Sequence, residues 1–213
     1  RLTVIGVSEW ISNEARKSFL ASKEIMTIHN GIDLSVFKPT PSDLREKLGL
    51  ADKYVILGPA SKWLDPINKD VLDYFAANMK ADEVLLLFGA EKVYRPLPDN
   101  VMLYGYTRDK HELAALYTMA DVFVNCTRED SLSLINVESQ ACGTPVVTFD
   151  ATGPKETVEG KGGVCISCGN YKKMYDSVSD VRNNALNLDI ALLSAQFNIE
   201  VNYLDYMCVY RED

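Results

Sequence analysis

The 213-residue chain contains no window approaching the roughly 18 consecutive apolar residues of a membrane span, so no transmembrane segment is expected. Dense groupings of lysine and arginine are also missing. No run of bases is longer than a pair such as Lys172-Lys173, and 22 basic against 30 acidic residues leave a net charge of −8. Nucleic acid is therefore not an expected partner, since its binding would want a basic patch. An anionic lipid surface is not signalled either, because no stretch sets a basic helix face opposite an apolar one. The glycine patterns G-x-G-x-x-G and G-x-x-x-x-G-K-[ST] do not occur, so dinucleotide and Walker-type phosphate sites lose their usual marker. Neither an internal repeat nor a low-complexity tract is present.

Histidine is scarce, with His29 in a turn-like segment and His111 at the start of a helix-like one. Five cysteines make an odd, scattered count, which argues for reduced thiols in a cytosolic setting. Cys126 and Cys142 fall in apolar, core-like positions. Cys165-Ile-Ser-Cys168 is a lone C-x-x-C, whereas structural zinc takes four N or S ligands. These thiols read as incidental residues flanking a strand end. No D-x-D pair is placed to hold a cation on a diphosphate, so neither metal nor cofactor is expected. No signal peptide opens the chain. It starts at Arg1 without methionine and runs straight into Leu2-Thr-Val-Ile-Gly-Val7, a strand-like beginning that is expected of a fragment.

What is present is an ordinary globular composition, 47% apolar and 24% charged, with length enough for one good core. Continuous apolar runs recur at Tyr54–Gly58, Glu83–Gly89, Val101–Gly105, Asp121–Asn125, Pro145–Phe149 and Gly163–Ile166. Helical patterns lie between them, around Val71 to Met79 and from Lys110 to Ala120. Strands buried on both faces and alternating with helices predict a doubly wound parallel α/β sheet. Ligands in such sheets bind at the carboxyl ends of the strands. A leading helix is expected from Ser8 to Leu20, and Asn30-Gly31 is a strong turn dipeptide. The tail from Ala195 to Tyr210 has helical spacing. Trp10 and Ile11 are expected to pack against this tail near Phe197 and Tyr203, leaving an exposed apolar face suited to homodimerisation.

The chemistry concentrates in Asp130-Ser-Leu-Ser-Leu-Ile-Asn-Val-Glu138, followed by Ser139-Gln-Ala-Cys-Gly143-Thr-Pro-Val-Val147. Asp130 would lie in the loop entering a helix, with Glu138 about two turns on. Ser131 to Glu138 is an i, i+7 step, which would put both on one helix face. Free N–H groups at the helix start would then lie between the two acids, a seat for phosphate or a polyol. An ordinary surface helix with two solvated acids fits the same periodicity.

The wider stretch resembles the signature of the retaining, GT-B-fold glycosyltransferases of family 4. There an acid, seven residues and a glutamate precede an A-x-G-x-P-V-V run, here Ala141-Cys-Gly-Thr-Pro-Val-Val147. Gly153-Pro-Lys-Glu156 matches the glycine and glutamate that usually follow. The first acid is commonly glutamate and here is Asp130, one methylene shorter. Ser8-Glu9-Trp10 and Asn30-Gly-Ile-Asp33-Leu-Ser-Val-Phe37 match the family's S-x-W and N-G-I-D-x-x-x-F elements. The resemblance thus covers nearly the whole chain and implies the C-terminal half of a GT-B fold. Residues 1–38 would be the end of the N-terminal domain and the interdomain crossing. Residues 39–213 would be the Rossmann-like nucleotide-sugar-binding domain with its closing helix.

By the same resemblance, Glu138 accepts hydrogen bonds from the ribose hydroxyls, and Asp130 is the catalytic acid beside the donor sugar. Lys62 and Lys69 occupy the places of the cations on the diphosphate, with Asp70 where glycine is common. Backbone N–H groups of Ser131, Leu132, Ser133 and Leu134 would face sugar and phosphate. Tyr106, in Gly105-Tyr106-Thr107, would contact the base. The implied activity is transfer of a sugar from a UDP-, GDP- or ADP-sugar to a glycan or lipid-linked acceptor. A bacterial surface polysaccharide is the expected product, made in the cytoplasm or at the inner face of the membrane. The acceptor would be held by the absent N-terminal domain, so this chain alone would bind donor without transferring sugar. A GT-B epimerase, a phosphorylase and a non-catalytic nucleotide-binding module are the alternatives.

Overall fold

A computed structural model describes residues 2–90, 92–93, 96–183 and 189–211. Strands β1 (Thr3–Gly6) and β2 (Glu24–Thr27) pair in parallel around helix α1 (Glu9–Lys17). The buried Ser8 caps α1, its side chain accepting the Ile11 N–H at 3.1 Å. The helix is shorter than its sequence pattern predicts. Ser18 turns to extended backbone and its N–H returns to the Ala15 carbonyl, so Phe19 and Leu20 lie outside it.

After α2 (Leu44–Lys47) comes the main sheet, in chain order β3 (Tyr54–Pro59), α3 (Ala60–Trp63), α4 (Lys69–Asn78), β4 (Glu83–Phe88), β5 (Val101–Tyr104), α5 (Lys110–Met119), β6 (Val122–Asn125), α6 (Leu134–Ala141), β7 (Val146–Asp150), β8 (Val164–Ser167) and α7 (Tyr171–Asn183). Helices α8 (Ile190–Phe197) and α9 (Ile199–Arg211) close the chain. The six strands are parallel throughout, ordered β5-β4-β3-β6-β7-β8. This is the expected doubly wound α/β sheet.

Alternation along each strand feeds two cores. Val55 and Leu57 join Leu86, Phe123, Tyr117 and Val137 beneath α5, α6 and α8. Ile56 points the other way, with Leu85, Leu87, Val124 and Phe149, against Trp63, Phe75 and Met174. Each such side chain fully removed from water contributes about 1.5–3 kcal/mol, which is why these runs are strands of a covered sheet. At Gly58 a Cβ would sit 2.1 Å from Trp63 Nε1, so glycine alone lets the indole lie on β3 and donate to the Val124 carbonyl at 2.9 Å.

Two local readings are corrected. The helix carrying Glu138 starts at Leu134, because Ser133 adopts φ 69, ψ 67, a left-handed conformation no helix interior allows. Ser131 is therefore in a loop, not one face away from Glu138. The tail is two helices. Asn198 is extended, and Ile32 inserts beside it, its N–H donating to Phe197 O at 2.8 Å and its carbonyl accepting from Ile199 N–H at 3.0 Å. Phe197 is fully buried, whereas Tyr203 is 61% exposed, and the Trp10 N–H donates to Glu156 Oε1 at 2.7 Å. Among the described residues no helix is long and apolar enough to cross a membrane.

Candidate functional site

The chain winds outward from β3 through β4 to β5, then returns past β3 to β6, β7 and β8. That reversal places the topological switch point between the carboxyl ends of β3 and β6, where an open α/β sheet leaves a crevice for ligand. Lys62 stands on α3 directly after β3, half-buried; Asp130 lies in the loop directly after β6. One side chain ties the two edges together. Asn68, 2% exposed, donates to Lys62 O and to Cys126 O, both at 3.0 Å, and its Oδ1 accepts from Arg128 Nε at 2.8 Å. A cavity of about 550 Å³ opens over the ends of β3 and β4, lined by Ala60, Ser61, Leu64, Asp65 and Gly89 among others.

The Asp130 loop is fixed through its backbone. Asp130 N–H donates to Thr152 Oγ1 at 3.0 Å, and the Thr152 hydroxyl donates back to Asp130 O at 2.7 Å. Thr152 itself sits at φ 45, ψ −128, a conformation costing of order 1–3 kcal/mol for a β-branched residue and held by these bonds. Beside it, the Gly153 N–H donates to the same carbonyl at 3.1 Å, and a Cβ on Gly153 would lie 1.9 Å from Ser131 O. Asn125, fully buried at the end of β6, donates to Ser133 Oγ and Asn136 Oδ1, both at 2.9 Å. The Ser133 hydroxyl is thereby turned inward, and Leu132 is 2% exposed, so neither offers its side chain to a ligand. The Asn136 N–H returns to Ser133 O at 3.1 Å, closing a tight first turn of α6 that no side chain caps.

Glu138, one turn into α6, faces α5. Tyr117 Oη donates to its Oε2 at 2.9 Å. Burial raises the Glu138 carboxyl above its ordinary range, against the Tyr117 hydrogen bond and the charge of Lys110. Lys110 opens α5, just past the loop holding Tyr106, whose ring is 61% exposed. That loop is anchored by Glu112, which accepts hydrogen bonds from the Tyr104 and Thr107 hydroxyls. Lys69 begins α4 and forms an ion pair with Asp73 one turn on, at the surface.

The structure therefore sets Lys62 and Asp130 on either side of the switch point. Glu138, Lys110 and the Tyr106 loop gather on the α5–α6 side of the sheet, while Lys69 is occupied by a neighbour on its own helix. Asn68, Arg128, Tyr117 and Thr152 carry the arrangement without any motif to mark them. Among the described residues no group of three or more His, Cys, Asp or Glu could hold a metal ion.

A doubly wound sheet with a switch point between the ends of β3 and β6 has the architecture of the open α/β domains that take ligands in that crevice. Comparison narrows the class. Residues 68–184 match the family described as Glycosyl transferases group 1. The chain is 27% identical over 192 residues to D-inositol 3-phosphate glycosyltransferase of Mycolicibacterium smegmatis, covering 82% of this chain and 44% of that protein. Among solved structures it is similar to sucrose-phosphate synthase of Thermosynechococcus elongatus, at TM-score 0.79 and 22% identity, over 99% of this chain and 58% of that one. It is also similar to Anabaena Alr3699/HepE in complex with UDP-glucose, at TM-score 0.77 and 21% identity, over 98% and 64%. The chain belongs to the group 1 glycosyltransferase family, and its sheet is the Rossmann-like unit of a GT-B fold. It spans about half the length of the relatives it matches, 44%, 56% and 43% of three of them.

Proposed function

We propose that this chain is the donor-binding domain of a retaining glycosyltransferase that moves a sugar from a nucleotide diphosphate sugar to a glycan or lipid-linked acceptor. Residues 1–38 end the acceptor-side domain and cross into the donor domain. The observation that carries the reading is the convergence of Lys62, after β3, and the Asp130 loop, after β6, on one switch point, with Glu138 on the helix that follows. Glycosyltransferases among the relatives, and a structural neighbour in complex with UDP-glucose, support the same substrate class.

In this reading the base lies near Tyr106 and the ribose diol meets Glu138, whose two carboxylate oxygens suit vicinal hydroxyls. The diphosphate lies by Lys62 and the start of α6. Negative charge grows on the departing nucleotide as the glycosidic bond breaks, so a fixed cation there stabilises the transition state more than the ground state. Asp130 is placed to orient sugar hydroxyls and to offset positive charge developing at the anomeric carbon. No step calls for a metal, and EDTA is expected to leave donor binding intact. The biological product is proposed to be a bacterial surface polysaccharide, assembled on the cytoplasmic side of the membrane.

A thermal-shift panel of UDP, GDP, ADP and their sugars tests the reading directly. Ligand at ~100 times Kd stabilises by about 2.7 kcal/mol, and one base series should do so. Absence of a shift with every nucleotide would favour the reading of an inert module that has lost turnover. One observation leans that way: Lys69 is engaged with Asp73 and not with the crevice.

A further inference from the structure

Arg128 is prepared for a ligand in a way its neighbours do not explain. Nε is bonded to Asn68 Oδ1 at 2.8 Å, and the guanidinium carbon lies 5.6 Å from the centroid of the Phe149 ring. A Cβ on Gly169 would stand 3.2 Å from Nη1, so the guanidinium lies against this glycine and a side chain there would press on it. Among the described residues the Nη groups make no hydrogen bond and the side chain pairs with no carboxylate. Arg16, Arg45 and Arg182 do pair, with Glu9, Asp121 and Asp82. In a chain with 30 acids and 22 bases, Arg128 is held by an amide and a ring face and not by an acid.

Its position gives that arrangement a direction. The Asn68 amide that holds Arg128 also holds the backbone carbonyls of Lys62 and Cys126, so the Arg128 side chain and the main chain carrying Lys62 share one frame across the switch point. Burial pushes the Cys126 thiol up to about 12, with Arg128 and Lys62 acting on it in the opposite sense and Asp65 in the same one. Holding Nε and the ring face leaves a planar fork of N–H donors with little rotamer entropy to lose, the geometry that suits two phosphate oxygens. Lys69, by contrast, is paired on the surface.

We infer that Arg128 is a further cationic contact for the diphosphate of the donor, acting beside Lys62, with Asn68 as the positioning residue that sets its fork. This rests on the donor-binding reading above. Isothermal calorimetry on this chain, with the nucleoside, monophosphate and diphosphate of the preferred base, tests it. Arg128→Gln should weaken the diphosphate roughly tenfold or more and leave the nucleoside unchanged, as expected for loss of charge-assisted bonds. Arg128→Lys, which keeps the charge but loses the fork and the Asn68 bond, should fall between. Should Arg128→Gln fail to fold, Arg128→Lys carries the test by the same contrast. Equal loss on nucleoside and diphosphate would make Arg128 a purely structural tie and overturn the inference, as would unchanged diphosphate affinity. Failure of the wild-type chain to bind any of the three would instead remove the donor-binding reading itself, before any variant is made.

Discussion

Tyr117 and Glu138, 21 residues apart, meet through a 2.9 Å hydrogen bond from the phenol to Oε2, joining α5 to α6 on one side of the switch point. Burial raises the Glu138 carboxyl, and Tyr117 and Lys110 only partly oppose it. A carboxyl raised by folding contributes stability below its unfolded pKa and loses it as pH rises through the folded value. Ionised Glu138 is thus a cost to the fold at neutral pH, and Glu138→Gln is expected to raise Tm at pH 7 while its advantage vanishes near pH 4. The same variant should bind nucleotide less tightly, by about 1.5–3 kcal/mol for a lost charge-assisted bond to the ribose. A lowered Tm at pH 7 would show that the carboxylate is a structural group.

Asp130 and Glu138 should separate by role in the intact parent enzyme. Asp130→Ala is expected to leave affinity for the free nucleotide diphosphate nearly unchanged but to lower turnover, because its proposed partner is the sugar. Glu138→Ala should weaken the nucleotide itself. Calorimetry beside a transfer assay reads both; equal weakening of the nucleotide by the two variants would refute this division.

Glu156 links the leading segment to the sheet. Its carboxylate accepts the backbone N–H groups of Glu9 at 2.8 Å and Trp10 at 2.7 Å, and His29 Nε2 lies 3.2 Å away. Burial pushes this carboxyl up, but the bonds from His29, Glu9 and Trp10 outweigh it and leave it depressed. A depressed carboxyl contributes stability above its unfolded pKa and loses it as pH falls through the folded value. Glu156→Ala should therefore cost about 1–3 kcal/mol at pH 7, with two helix-start donors left unpaired. The wild-type and variant unfolding curves should converge in acid, and hydrogen exchange at Glu9 and Trp10 should quicken in the variant. Unchanged exchange at those amides would place the stability elsewhere.

Gly153→Ala is expected to act on the Asp130 loop. The added methyl would lie 1.9 Å from Ser131 O and 2.4 Å from its carbonyl carbon, both backbone atoms that cannot rotate away. Overpacking of this kind costs about 1–3 kcal/mol. Urea unfolding should report the loss, and turnover in the parent enzyme should fall more than nucleotide affinity. A variant as stable and active as wild type would mean the loop moves freely.

The strands of the sheet were legible because each is a run of apolar residues that only a doubly covered sheet can bury, and Tyr54–Pro59, Glu83–Phe88 and Val146–Asp150 lie within a residue of where the pattern puts them. The order of the two acids, Asp130 in a loop and Glu138 on the helix that follows, was legible because both stand on one short loop–helix unit. Ser131 escaped this logic because Ser133 turns left-handed, a backbone choice imposed by Asn125 holding its hydroxyl from the end of β6. The break at Asn198 escaped it too, since Ile32, far back in the chain, supplies the bonds that end α8.

Residue chemistry and local order were therefore determined by the sequence itself: which segments are strands, where the two acids fall, which glycines end helices. Tertiary structure decided how those groups are held. Thr152 grips Asp130 across 22 residues, Arg128 reaches Asn68 across 60, and Glu156 receives α1 across 147 and 146. Local propensity extends over a few residues, whereas these bonds form only once parallel strands have brought their carboxyl ends to one edge, and there burial sets the orientation and ionisation of each group.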